Sequence, residues 1–180
     1  MEYNASDLQF LVNRYSQARS PFLPDTVRTL LIAECPPENI DRYFYFEDVP
    51  RQDSLFLEIM GVLYPDEKKQ YLASGRDASL KREMLLNFAE DGYLLLYLSE
   101  LPFSLLPVSL EECIPALVRR IAQHCGEDTG IILIKTSLFD LCYSELVRQG
   151  YRVSGERMPF PGSGQQKIFR TKFAAALEAL

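Results

Sequence analysis

The chain predicts an α/β fold: a three-layer sandwich with a mostly parallel central sheet of about four strands. Three observations lead there. Apolar runs too short to be helices alternate with stretches of helical periodicity. Each strand candidate is followed by a helical pattern, as parallel pairing requires. The 180 residues, 47% of them hydrophobic, contain no Pro/Gly/Ser-rich linker or low-complexity block, so residues 1–180 are expected to form one domain.

Taken in order, Leu8, Leu11, Val12 and Tyr15 share one face of a helix that Ser6 is placed to cap. This helical extension, residues 1–25, precedes the sheet as an added layer. The first strand candidate runs from Arg28 to Ala33 and meets Glu34, Cys35, Pro36 and Pro37. Neither proline can continue the backbone bonding of a strand or helix, so Glu34 is held at the sheet's mouth. A helix is expected from Ser54, with Leu55, Ile59 and Leu63 inward and Pro65 as its stop. Another starts near Ser79 with Leu80, Met84 and Phe88 spaced four apart, and Gly92 opens the second strand, Tyr93 to Leu98.

Ser109-Leu110-Glu111-Glu112 reads as a capping box, and Pro115 predicts a kink or a delayed start in the helix behind it. The third strand is Gly130 to Ile134. Ser137 and Asp140 open a helix that Gly150 ends. A weaker strand lies within Tyr151 to Met158, and the last helix begins near Gly164 with Phe169, Phe173, Leu177 and Leu180 inward.

Composition narrows the function classes. No apolar stretch approaches the length of a membrane span and the N-terminus lacks a signal peptide's basic and apolar regions, so a soluble cytoplasmic protein without a membrane partner is expected. The four cysteines show no paired ligand spacing, so the expectation is reduced thiols, no zinc, no iron-sulfur cluster and no cofactor. A net charge of −6 opposes nonspecific attraction to polyphosphates, although a local basic groove is compatible with it. Lys167, Arg170, Lys172, Arg148, Arg152 and Arg157 either form such a groove or are solvated faces balanced by nearby acids.

Ligands of open α/β sheets bind beyond the carboxyl ends of the strands. The segments Glu34 to Phe46, Ser99 to Pro107, Lys135 to Ser137 and Pro159 to Gly164 are therefore expected on one rim. Tyr43-Phe44-Tyr45-Phe46 either lines a flat slot for a stacked ring or covers the sheet edge. Pro159-Phe160-Pro161-Gly162-Ser163-Gly164 leads into a helix whose first N–H groups suit an anion, but it lacks the Lys-Ser/Thr of a P-loop. The single histidine, His124, lies near a helix end and away from this rim.

Over roughly Thr26 to Leu180 the chain resembles the uracil-DNA glycosylase superfamily. Ala33-Glu34-Cys35-Pro36-Pro37 is similar to the first motif of its thermophilic-type branch, and Phe44 or Phe46 corresponds to the aromatic that stacks on the flipped base. Tyr97-Leu98-Ser99-Glu100 is similar to the second strand, with Glu100 where the family has a base-reading Asn. Glu112-Cys113-Ile114-Pro115-Ala116-Leu117 is similar to the helix carrying Cys-x-Pro-x-Leu. Met158-Pro159-Phe160-Pro161 is similar to the His-Pro-Ser-Pro loop, with Met158 in place of the histidine. A thioether cannot donate that histidine's hydrogen bond, and a carboxylate at position 100 repels uracil's carbonyl oxygens.

The resemblance implies a uracil-DNA glycosylase-like fold that binds DNA or another nucleobase-containing ligand. The implied reaction is N-glycosidic bond hydrolysis in damaged DNA, a DNA-repair hydrolase's chemistry, with the base leaving the stack first. Glu34 would be catalytic, orienting water or stabilising positive charge on the sugar. Pro36, Pro37, Phe44, Phe46, Glu100, Met158, Pro159 and Ser163 would bind substrate, and Glu34, Phe44 or Phe46, Glu100, Met158 and Ser163 would line one pocket. The competing class is a noncatalytic nucleic-acid-binding or scaffold protein on the same fold.

Overall fold

The structure, a computed structural model, describes residues 3–162 and 164–180. Four parallel strands form its sheet: β1 (Val27–Ala33), β2 (Tyr93–Tyr97), β3 (Cys125–Leu133) and β4 (Arg152–Val153), in the order β2-β1-β3-β4. β1 is central because Leu30, Leu31 and Ile32 are wholly buried, as are their partners Leu94 to Leu96 and Ile131 to Leu133. A run this continuously apolar has no polar face to turn to water, so helices must cover both sides.

The helices are α1 (Ala5–Arg19), α2 (Ser54–Leu63), α3 (Pro65–Ala73), α4 (Ala78–Glu90), α5 (Leu110–His124), α6 (Thr136–Arg148) and α7 (Gln166–Glu178). The chain leaves β1 toward β2, then returns past β1 to β3 and continues outward to β4. Right-handed crossovers with this order send α2 to α4 to one face and α5 and α6 to the other. α7 packs on α2, while α5 meets α6 and β3. The result is an α/β arrangement of the three-layer kind, with its chain reversal between the carboxyl ends of β1 and β3.

Several local expectations need correction. The cap of α1 is Asn4, not Ser6: its side chain accepts from the Ser6 and Asp7 N–H groups while Asp7 bonds back to the Asn4 N–H. Pro65 does not merely stop α2. It occupies the first turn of α3, where a missing N–H costs nothing. Pro115 neither delays nor divides α5, which starts at Leu110 behind the Ser109/Glu112 box. β3 begins five residues before Gly130, with a register irregularity opposite Val27 and Thr29. β4 shrinks to two residues, and only an isolated bridge from Ile134 to Met158 continues its line.

Gly92 and Gly150 act where the sequence places them. Gly92 has φ +81, and a Cβ there would stand 2.7 Å from the Arg28 side chain. Its carbonyl accepts from the Arg28 and Thr29 N–H groups, registering β2 on β1. Gly150, at φ +89, closes α6 in the left-handed conformation that glycine adopts without strain.

Candidate functional site

Glu34 stands one residue beyond β1, at the chain reversal between β1 and β3 where ligands of such sheets gather. Its backbone carbonyl accepts from the Ser99 N–H at 3.1 Å, tying it to the segment after β2. Its carboxylate reaches the other way: Oε1 accepts from Lys135 Nζ and Oε2 from Ser137 Oγ, the latter at 2.6 Å. Lys135 joins β3 to α6 at φ 102, a region that side chains with a Cβ rarely adopt. Backbone strain of this kind persists where surrounding structure enforces it, and it concentrates at functional sites.

The predicted residues do not share one pocket. The first three residues beyond β1 border three different concavities, and Glu34 borders a hollow of about 510 Å³ with Ser137, Phe103 and Val108. Cys35 and Pro37 instead border a cleft of about 300 Å³ together with Phe44. Pro36 faces a void of about 10 Å³ behind Tyr43. The same void holds Glu100, whose carboxylate lies 4.0 Å from Arg120 Nε. Arg120 donates to the Tyr97 and Leu98 carbonyls at 2.8 Å each, so Glu100 is placed as its counter-ion rather than as a reader of a base.

Three further expectations are corrected. Phe46 lies off the cleft, beneath the Arg14 guanidinium and against Tyr15 and Tyr43. Met158 is wholly buried in the core, because its backbone extends the sheet beside Ile134 and turns the thioether inward. Pro159 is half-buried beside it and borders none of these three concavities. Ser163 lies outside the described residues, and with it the centre of the expected anion-binding loop.

The aromatic run divides its work. Tyr43, Phe44 and Tyr45 are at most 2% exposed. Tyr45 covers the edge strand: its hydroxyl accepts from the Leu95 N–H at 2.8 Å and donates to the Leu95 carbonyl at 3.1 Å. Phe44 packs on Phe56 and Phe88 while presenting one side to the 300 Å³ cleft. Tyr97 and the half-exposed Phe160 supply two more aromatic walls, with Asn39, Arg42 and Gln52 as polar neighbours. The Arg42 guanidinium donates to the Gln52 side-chain carbonyl.

Asp53 completes the cleft at the start of α2. Its Oδ2 accepts from Lys81 Nζ at 2.8 Å in the interior. Burial holds the Asp53 carboxyl above its ordinary value, with the Lys81 charge opposing the rise, and burial holds the Lys81 ammonium below its own. Burial likewise pushes the thiol of Cys35, which also lines the cleft, up to about 12, with Glu34 adding to the rise. Cys35 is therefore a neutral thiol at neutral pH, unlike a reactive cysteine.

Sequence reasoning placed Lys135 and Ser137 on the rim but missed their bonds to Glu34. It missed Asp53 altogether, because an acid before a helix reads as an ordinary cap. Phe160 was visible only as part of a proline-rich loop, and Tyr97 only as a strand residue. Four of the six basic residues follow the balanced-face alternative, while Arg152 reaches the Leu180 carbonyl oxygen instead. Arg148 pairs with Glu145, Arg157 with Asp140, Arg170 with Glu58 and Lys172 with Glu156. Among the described residues no group of three or more His, Cys, Asp or Glu is placed to hold a metal ion, and no helix is long and apolar enough to cross a membrane. Compared with family models, curated proteins and solved structures, the chain matches none.

Proposed function

We propose that this chain is a divergent uracil-DNA glycosylase-like protein that binds a nucleobase or a short nucleic-acid fragment in the cleft between the loop after β1 and the start of α2. The observation that carries the reading is the cleft itself: about 300 Å³, with Phe44, Tyr97 and Phe160 as aromatic walls and Asn39, Arg42 and Gln52 at its polar side. A concave, mostly apolar site with a few polar groups is the usual form of a small-ligand pocket. Stacking on such rings is worth about 1–3 kcal/mol per base and tolerates any base. The pairing of Arg148, Arg157, Arg170 and Lys172 with carboxylates supports a base or short single strand over a duplex, whose affinity rests on many cations free to meet phosphates.

The test is calorimetric titration with nucleosides and short single-stranded oligonucleotides, using Phe160→Ala as the control. Phe160 is 42% exposed, so its truncation spares the core. Binding that weakens about tenfold in the variant supports stacking in the cleft; unaltered binding places the ligand elsewhere.

A second reading, N-glycosidic bond hydrolysis, is favoured by one observation: Glu34 is pinned by Lys135 and Ser137 at the chain reversal of the sheet. A fixed carboxylate suits electrostatic stabilisation of a developing cation. Both oxygens are nevertheless engaged, and they border the 510 Å³ hollow rather than the aromatic cleft, which puts binding first. Turnover of uracil-containing single-stranded and duplex DNA decides it. Cleavage that Glu34→Gln abolishes supports the enzyme; no cleavage above that control leaves the noncatalytic binding protein.

A further inference from the structure

Asp53 sits immediately before α2, where an aspartate ordinarily caps the helix, yet its side chain makes no capping bond. Its Oδ2 turns inward to Lys81 Nζ at 2.8 Å, and the two side chains are 4% and 0% exposed. The Lys81 ammonium also lies 4.3 Å from the centre of the Phe56 ring. Removing two ions from water costs more than a surface pair returns, so stability alone is a poor reason for this pair. Its position offers a better one: Asp53 is part of the cleft wall.

The other oxygen, Oδ1, has no hydrogen-bond partner among the described residues. Unlike the Tyr71 hydroxyl and Arg76 Nη1 nearby, it is not sealed in the interior. One oxygen is thus anchored by Lys81, and the other is left without a protein partner in a residue that borders the cleft. Of the two other charged side chains that line the cleft, Glu38 accepts from the Ser104 N–H and hydroxyl, and Arg42 directs one guanidinium N–H to Gln52.

The geometry points to Asp53 as the specificity-determining residue of the cleft, an acceptor that selects bases carrying an exocyclic amino group over their keto counterparts. The assignment rests on reading the cleft as a nucleobase site. An ionised carboxylate only accepts hydrogen bonds, and aspartate accepts from the amino group of cytosine. In the same pose the 4-keto oxygen of uracil, or the 6-keto oxygen of hypoxanthine, would face it lone pair to lone pair, and the base would have to slide to bring its adjacent ring N–H to the carboxylate instead. Lys81, locked behind, fixes the carboxylate's orientation and its charge opposes protonation of Asp53, while the aromatic walls stack on any base.

The experiment is calorimetric titration of the intact chain with cytidine, uridine, adenosine and inosine. Asp53→Asn alone strands a buried lysine, so the companion is the double variant Asp53→Asn/Lys81→Gln, used once its melting transition is shown. Wild type is expected to bind cytidine and adenosine about tenfold tighter than uridine and inosine, and the double variant to bind all four alike. Equal binding by wild type, or an amino preference that survives in the folded variant, overturns the role of Asp53 and leaves the cleft standing. Failure to bind any of the four at millimolar concentration overturns the cleft reading and the assignment with it. Should the variant not fold, the wild-type series still decides the preference. The Asp53 carboxyl carbon resonance then locates it: a shift with cytidine and none with uridine supports the residue, and no shift with cytidine refutes it.

Discussion

At the scale of single residues, Lys135 carries the sharpest consequence. Its φ of 102 costs a side chain about 1–3 kcal/mol, whereas glycine adopts it without penalty. Lys135→Gly and Lys135→Ala both lose the bond to Glu34, but only the glycine relieves the backbone. Denaturant unfolding is expected to find the glycine variant more stable than the alanine variant by about 1 kcal/mol; equal stabilities would remove strain from the site. His124 supplies a pH signal of defined sign. Burial and the charges of Arg19 and Arg120 hold it below its ordinary value of 6.5. The unfolded chain therefore takes up a proton on passing below that value while the folded chain resists it. Stability should fall from pH 7 toward the folded value of His124, and this group should contribute no slope above 7. As the single histidine, it also reports directly in an NMR titration, and a midpoint above 6.5 would contradict the burial argument. What the sequence disclosed at this scale was position: Glu34 and Lys135 at strand ends are legible from hydropathy and prolines. Their pairing was not, since 101 residues separate them.

Among the elements, the edge strand β2 and the loop that guards it show where patterning stops being informative. Four consecutive aromatics do not reveal which ring faces a cleft and which faces a backbone. Tyr45 resolves the question by serving as a partner for Leu95, satisfying its N–H and C=O where a further strand would otherwise pair. Tyr45→Phe keeps the ring and strands both backbone groups, so a loss of about 2 kcal/mol in unfolding free energy is expected. A change under about 0.5 kcal/mol, the range of an ordinary surface substitution, would mean that water reaches the strand edge. The strands centred on Leu31, Leu95 and Ile132 were legible because each is a short apolar run. β4 was weakly marked because two paired residues carry no periodicity. α3 was missed because Pro65 reads equally as the end of one helix and the first turn of the next.

For the whole molecule, topology accounts for how much of the site could be foreseen. Parallel strands joined by right-handed crossovers bring their carboxyl ends to one edge, so the loops after β1, β2 and β3 were expected together and are found together. The edge is nevertheless not one pocket. The bend beyond β1 leaves Glu34 on one concavity and Pro37 and Phe44 on another, and β4's extension draws Met158 into the core. Hydropathy cannot resolve that division, because it depends on which side of the loop each residue faces. The central claim is that the aromatic cleft, and not the hollow beside Glu34, is the place where a nucleobase binds. Amide and aromatic NMR shifts of the labelled protein, followed during titration with cytidine, test it most directly. The account predicts saturable shifts at Asn39, Gln52, Asp53, Tyr97 and Phe160, with Ser109, Ser137 and Leu141 unmoved. Shifts centred on Ser137 and Leu141, or none at millimolar cytidine, would contradict it.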